Sequence, residues 1–71
     1  MNQRERISSD PGICGGQLCI KGTRLMISII LDNLAVGESE HAIADSYRIS
    51  VDDVRAAVGY ASEIIKRRRK V

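Results

Sequence analysis

The sequence contains no phenylalanine and no tryptophan, and only two tyrosines. That absence removes the stacking platforms on which single-stranded nucleic acids are held, so single-strand recognition is a poor fit. One histidine and two cysteines cannot supply the roughly four ligands of a structural zinc site, and neither a metal nor another cofactor is expected. Cys14 and Cys19 stand in a C-x4-C spacing with no second pair, and they read as thiols of a reducing compartment. Long apolar runs are missing too. Ile29-Ile30-Leu31 falls far short of the roughly 20 residues that cross a bilayer. The start, Met1-Asn2-Gln3-Arg4-Glu5-Arg6, has no apolar run behind it and does not resemble a secretory leader. The expectation is a soluble, cytoplasmic protein with no membrane partner.

Catalysis finds little support. A chain of 71 residues leaves scant room for a cleft on a rigid scaffold. A thiol nucleophile needs an adjacent base, and His41 lies far in sequence from both cysteines. Asp52 and Asp53 are neighbours on a helix and point about 100° apart rather than at one substrate. An enzyme is not expected.

What is present is aliphatic. Ile, Leu and Val supply 19 residues (10, 4 and 5), yet a chain this short buries only about 60–65% of its unfolded surface. Its core is therefore marginal, and an oligomer or partner complex is the expected remedy. Charge is uneven. Residues 1–65 carry six basic and nine acidic side chains, whereas Lys66-Arg67-Arg68-Arg69-Lys70 is wholly basic. Such an end fits phosphate or an acidic protein surface. Its plainer reading is a solvated helix end whose cations offset the negative dipole.

Along the chain, residues 1–27 read as strands and turns. Asp10-Pro11-Gly12 and Gly15-Gly16 are turn signals. The short runs Leu18-Cys19-Ile20 and Leu25-Met26-Ile27 suit a small hairpin or meander, separated by Lys21-Gly22-Thr23-Arg24. Such a sheet needs helices or a second chain to cover it. From Ser28 the period becomes helical, with Ile27, Ile30, Leu31 and Leu34 on one face. This predicts a first helix over 28–36, capped by Ser28 and stopped at Gly37. Ser39 caps a second helix over 40–47 with Ile43, Ala44 and Tyr47 inward. Arg48-Ile49 turns the chain. Ser50-Val51-Asp52-Asp53 resembles a capping box for a third helix over 51–69. Its expected inner face is Val54, Ala57, Val58, Ala61, Ile64 and Ile65. The whole is one domain, residues 1–71. It is mainly α, with three helices over 28–69 behind a small β element at 1–27.

A short helix, a tight turn and a longer helix form the helix-turn-helix layout, which points to double-stranded DNA. The candidate DNA contacts are Arg48, Arg55, Lys66, Arg67, Arg68, Arg69 and Lys70. Asp52 and Asp53 oppose that reading, because two carboxylates at the entrance of a reading helix face a polyanion. Gly22 fits a backbone with positive φ, and Thr23 a local turn hydrogen bond. Arg24 reads as an internal tie between sheet and helices, with Asp52 or Asp53 its natural partner. Contact with a binding partner is its other reading. The uncovered β edge and marginal core predict a symmetric homodimer.

Taken together, Pro11, Cys14-Gly15-Gly16, Ile20-Lys21-Gly22-Thr23-Arg24, Gly37-Glu38-Ser39, Tyr47, Ser50, Asp53-Val54, Ala56-Ala57 and Tyr60-Ala61 resemble a family of small prokaryotic proteins, the domain of unknown function numbered 433. The likeness covers about residues 6–62. It departs at Met26, where the family often has proline, and residues 66–70 lie outside the shared pattern. The resemblance implies a homeodomain-like three-helix fold and a homodimer. It also implies an antitoxin-like role, pairing with a small PIN-like ribonuclease toxin and binding DNA as an autorepressor. The alternative is a protein-interaction module without DNA binding. No catalytic residue carries over. Gly22, Thr23, Arg24 and Asp53 remain motif positions of structural or partner-binding use.

Overall fold

A computed structural model describes residues 3–9, 12 and 14–68. Three helices make up its bulk: α1 (Ile27–Ala35), α2 (Glu40–Tyr47) and α3 (Val51–Arg68). Each boundary has a local cause. The α2 start is capped by Ser39, whose Oγ accepts from the Ala42 N–H at 3.1 Å. At α3 the capping box closes in both directions. The Asp53 N–H donates to Ser50 Oγ and the Ser50 N–H to Asp53 Oδ2, each at 3.1 Å. Helix α1 stops at Gly37, whose φ of 98° only glycine adopts cheaply. There the N–H groups of Gly37 and Glu38 donate to the carbonyls of Leu34 and Asn33, which satisfies two of the last carbonyls of the helix.

The start of α1 differs from expectation. It begins at Ile27, with extended Met26 rather than Ser28 at the cap and no side-chain cap bond. The reason is that the chain entering α1 lies beside the sheet, so the Ile27 N–H donates to the Leu18 carbonyl at 3.0 Å. An orphan donor is satisfied without a capping side chain. Leu25-Met26-Ile27 is accordingly not a strand. Met26 makes a single antiparallel bridge to Cys19 and the chain then turns into the helix.

The sheet has two short antiparallel strands, β1 (Ile7–Ser8) and β2 (Cys19–Ile20), with Ile7 opposite Ile20 and Ser8 opposite Cys19. A 3-10 turn at Gln3–Arg6 precedes β1, and another at Cys14–Gly16 precedes β2. Gly12 lies in a turn; Asp10 and Pro11, the rest of that expected turn, lie outside the described residues. The side chain of Cys14 does so as well, while Cys19 is a buried thiol outside any disulfide.

The core lies where β1, β2 and the three helices converge, with Ile20, Ile30, Ile43 and Val54 fully buried. Three expected inward residues are placed otherwise. Tyr47 is partly exposed and its hydroxyl accepts from Asn33 Nδ2 at 3.1 Å. Val58 and Ile65 are exposed, and Ala56 is buried in their stead. The first part of α3 is packed by the 3-10 turn at Gln3–Arg6 as well as by α1 and α2. Its buried arc therefore spreads round toward Ala56. Eighteen residues of α3 span about 27 Å, roughly twice the length of α1 or α2. The far end outruns the helices that would cover it.

Candidate functional site

The surface singled out by the sequence centres on the α2–α3 turn and on α3. At the turn, Arg48 adopts a left-handed backbone with φ 57° and ψ 44°. This places the following Ile49 N–H on the Ala44 carbonyl at 3.0 Å and leaves the arginine side chain exposed. A non-glycine residue there carries a conformational cost of roughly 1–2 kcal/mol.

Arg55, one turn into α3, is already engaged. Its Nε and Nη2 donate to the two carboxylate oxygens of Glu40 at 2.8 and 3.3 Å, a fork that clasps the start of α2 to α3. The hydrogen bond from Arg55 is the main reason the Glu40 carboxyl titrates below its ordinary range, and the same bond raises Arg55. Sequence reasoning missed Glu40. Glutamate in a first turn is fully explained by the helix dipole, so it left no separate signal.

Asp53 is held from the other side. Burial opposes its charge, but the Ser50 N–H, the Arg6 guanidinium and the Ser50 hydroxyl together prevail and lower its pKa. Arg6 Nη1 lies 2.9 Å from Asp53 Oδ1 and 3.5 Å from Ser50 Oγ, and Arg6 Nη2 lies 3.8 Å from Asp52 Oδ2. Arg6 thus ties the N-terminal segment to α3. Forty-seven positions separate Arg6 from Asp53, so no local pattern announced the pair.

Arg24 sits exposed beside a turn that explains its neighbours. Gly22 has φ 81°, as the third residue of a type II turn requires. The Thr23 N–H and Oγ1 both donate to the Ile20 carbonyl, at 3.0 and 2.8 Å, and Thr23 Oγ1 accepts from the Leu25 N–H at 3.0 Å. The Gly-Thr pair builds the bend that returns β2 toward α1.

At the far end of α3, Lys66 and Arg67 are exposed. Arg67 Nη2 approaches Glu63 Oε2 at 4.0 Å, one turn back. Arg68 closes the helix, and Arg69 and Lys70 lie outside the described residues. The structure therefore separates the predicted cations. Arg55 is clasped within the bundle, Arg48 is displayed at the turn, and Lys66 and Arg67 stand along the overhang. Among the described residues no three His, Cys, Asp or Glu side chains gather as metal ligands, and no helix is long and apolar enough to cross a membrane.

Comparison with known proteins gives a fold and a family. A crystal structure of a DUF433 member protein from Anabaena variabilis superposes with a TM-score of 0.77 at 25% identity, over 87% of this chain and 62% of that one. The present chain thus spans less than two thirds of that relative. No functionally curated protein matches it. The model of the family described as "Protein of unknown function (DUF433)" matches residues 7–61, and the chain belongs to that family.

Proposed function

We propose that the chain is a cytoplasmic, antitoxin-type binding protein that captures a small PIN-like ribonuclease and does no chemistry of its own. The observation that supports a protein partner best is the internal engagement of the α3 entrance. In a helix-turn-helix the first residues of the second helix meet base edges. Here Asp53 is held by Arg6 and Ser50, Arg55 by Glu40, and Ala56 is buried. The remaining exposed side chain at that entrance, Asp52, is an acid and repels phosphate. Arg48, Lys66 and Arg67 are the cations displayed to an acidic partner surface.

Duplex DNA enters as a second target, favoured by the helix-turn-helix layout and met through phosphates alone. The run at 66–70 and Arg48 would supply those contacts, with affinity falling steeply as salt rises.

The test is purification of the chain from its native cells with added nuclease to remove bridging nucleic acid, followed by a ribonuclease assay. The expected result is a stoichiometric small ribonuclease whose activity falls when purified chain is added back. A ribonuclease indifferent to the chain, or none retained, overturns the antitoxin reading. Binding to its upstream duplex is measured separately at low salt. Undetectable affinity there leaves the protein-only module.

A further inference from the structure

An N-terminal strap, residues 3–9, lies against β2 and the start of α3. Of its described side chains only Ile7 is buried, as part of the core cluster that includes Ile20 and Val54. The strap is fastened at named points. The Lys21 N–H, next to β2, donates to the Arg6 carbonyl at 2.7 Å. Arg6 Nη1 donates to Asp53 Oδ1 at 2.9 Å, and Ser9 Oγ donates to the Gly16 carbonyl at 2.8 Å. The walls it rests on are held by bonds that do not involve it. On the opposite edge of β2, the Ile20 N–H donates to the Leu25 carbonyl at 2.9 Å, the Ile27 N–H to the Leu18 carbonyl at 3.0 Å, and Cys19 bridges Met26. Asp53 is fixed by both bonds of the Ser50 capping box.

We propose that this strap is the resident occupant of a peptide site. It detaches while the helices stay folded, and an extended segment of a protein partner, with a basic residue directly before an aliphatic one, takes its place along β2. Terminal segments with little buried surface open at free energies below that of the whole fold. Three features then remain in place. The edge of β2 offers the Lys21 N–H for strand addition, in which main-chain bonds give affinity and side-chain pockets give selectivity. The slot vacated by Ile7 accepts isoleucine or valine. Asp53, with Asp52 at 3.8 Å from Arg6 in the closed form, accepts a guanidinium one residue earlier. The strap's own Arg6-Ile7 is the pattern to be matched. Duplex DNA does not suit the site, since the two carboxylates repel phosphate. The inference goes beyond the antitoxin reading and does not rest on it, because a peptide probes the site without any ribonuclease.

Amide exchange of the isotope-labelled full chain tests the release. Corrected for intrinsic rates, the Lys21 N–H should exchange about tenfold or more faster than the Ile20 and Ile27 N–H groups, whose acceptors lie outside the strap. Equal protection of the three makes the strap part of the global fold and overturns the proposal. The synthetic peptide of residues 3–9 tests the replacement, followed through the resonances of Lys21 and Asp53. Arg6→Ala loosens the tethered strap, so this variant should bind the free peptide about tenfold more tightly than the parent chain. Ser9→Ala, which removes the bond to Gly16, is the milder second variant and should act in the same direction. Peptides carrying Arg6→Glu or Ile7→Ser should not bind. No binding to either variant at millimolar peptide, or binding indifferent to those two peptide changes, overturns the site. A mass that doubles with concentration in the absence of peptide makes the strap of a second copy the occupant and overturns a foreign segment.

Discussion

From Val51 to Tyr60, α3 is fastened on every side that matters to the fold. Val54 and Ala57 are fully buried, Ala56 is closed off, Asp53 is held by Ser50 and Arg6, and Arg55 clasps Glu40. From Ala61 onward the same helix has no fully buried residue among those described, exposes Ile65, and carries Lys66 and Arg67 into solvent. One continuous helix thus joins a folding half to a presenting half. A domain of this size can leave a long stretch of helix exposed because only part of that helix is needed to close its core.

Substitution should expose the contrast most sharply at the apolar positions. Val54→Ala is expected to cost about 2 kcal/mol, from lost burial and a residual cavity. That is a large share of the roughly 4–10 kcal/mol that a chain of this length commands. Ile65→Ala should stay within about 0.5 kcal/mol. Urea midpoints of dilute protein compare the two directly, and equal losses would erase the distinction.

Next in size is Asp53→Ala, expected to cost about 1–2 kcal/mol by removing the capping partner and the ligand of Arg6. Its pH dependence has a definite sign. The folded pKa lies below the unfolded one. The carboxylate's contribution is therefore complete above the ordinary aspartate value near 3.9 and is lost as pH falls through the lowered folded value. Acid titration of stability should be steeper for the parent than for Asp53→Asn in that range. Parallel curves would show that Asp53 is not stabilised in its charged form.

The two left-handed positions sharpen the comparison further. Gly37→Ala should cost about 1 kcal/mol through backbone strain alone, since nothing lies within 4 Å of the added Cβ. Arg48→Gly relaxes the corresponding strain and should leave thermal stability equal or slightly higher. It should nevertheless weaken binding to an acidic partner. A clear fall in melting temperature would make Arg48 a folding residue instead. The smallest effect on folding is expected for Arg55→Gln, because its pairing with Glu40 is solvent-exposed and screened.

Much of this architecture was legible in local chemistry. Ser39, the Ser50–Asp53 box and Gly37 mark helix ends through bonds that span a few residues, so their spacing suffices. The α1 start was not legible, because its first N–H is satisfied by Leu18 across the sheet. The same holds for the site. Thr23 and Gly22 announced a turn, but the ties that remove Asp53 and Arg55 from easy reach of a ligand come from Arg6 and Glu40, distant in sequence. Helical periodicity assigned Val58 and Ile65 to the core because it records which residues share a face and says nothing of where the neighbouring helices end.

Amide hydrogen exchange along α3, measured at low and at high protein concentration, addresses the division of the helix most directly. The account predicts that Val54–Tyr60 exchange only through global unfolding at either concentration. Residues 62–68 should exchange much faster in dilute protein. Uniform protection along the whole of α3 in dilute protein would contradict it.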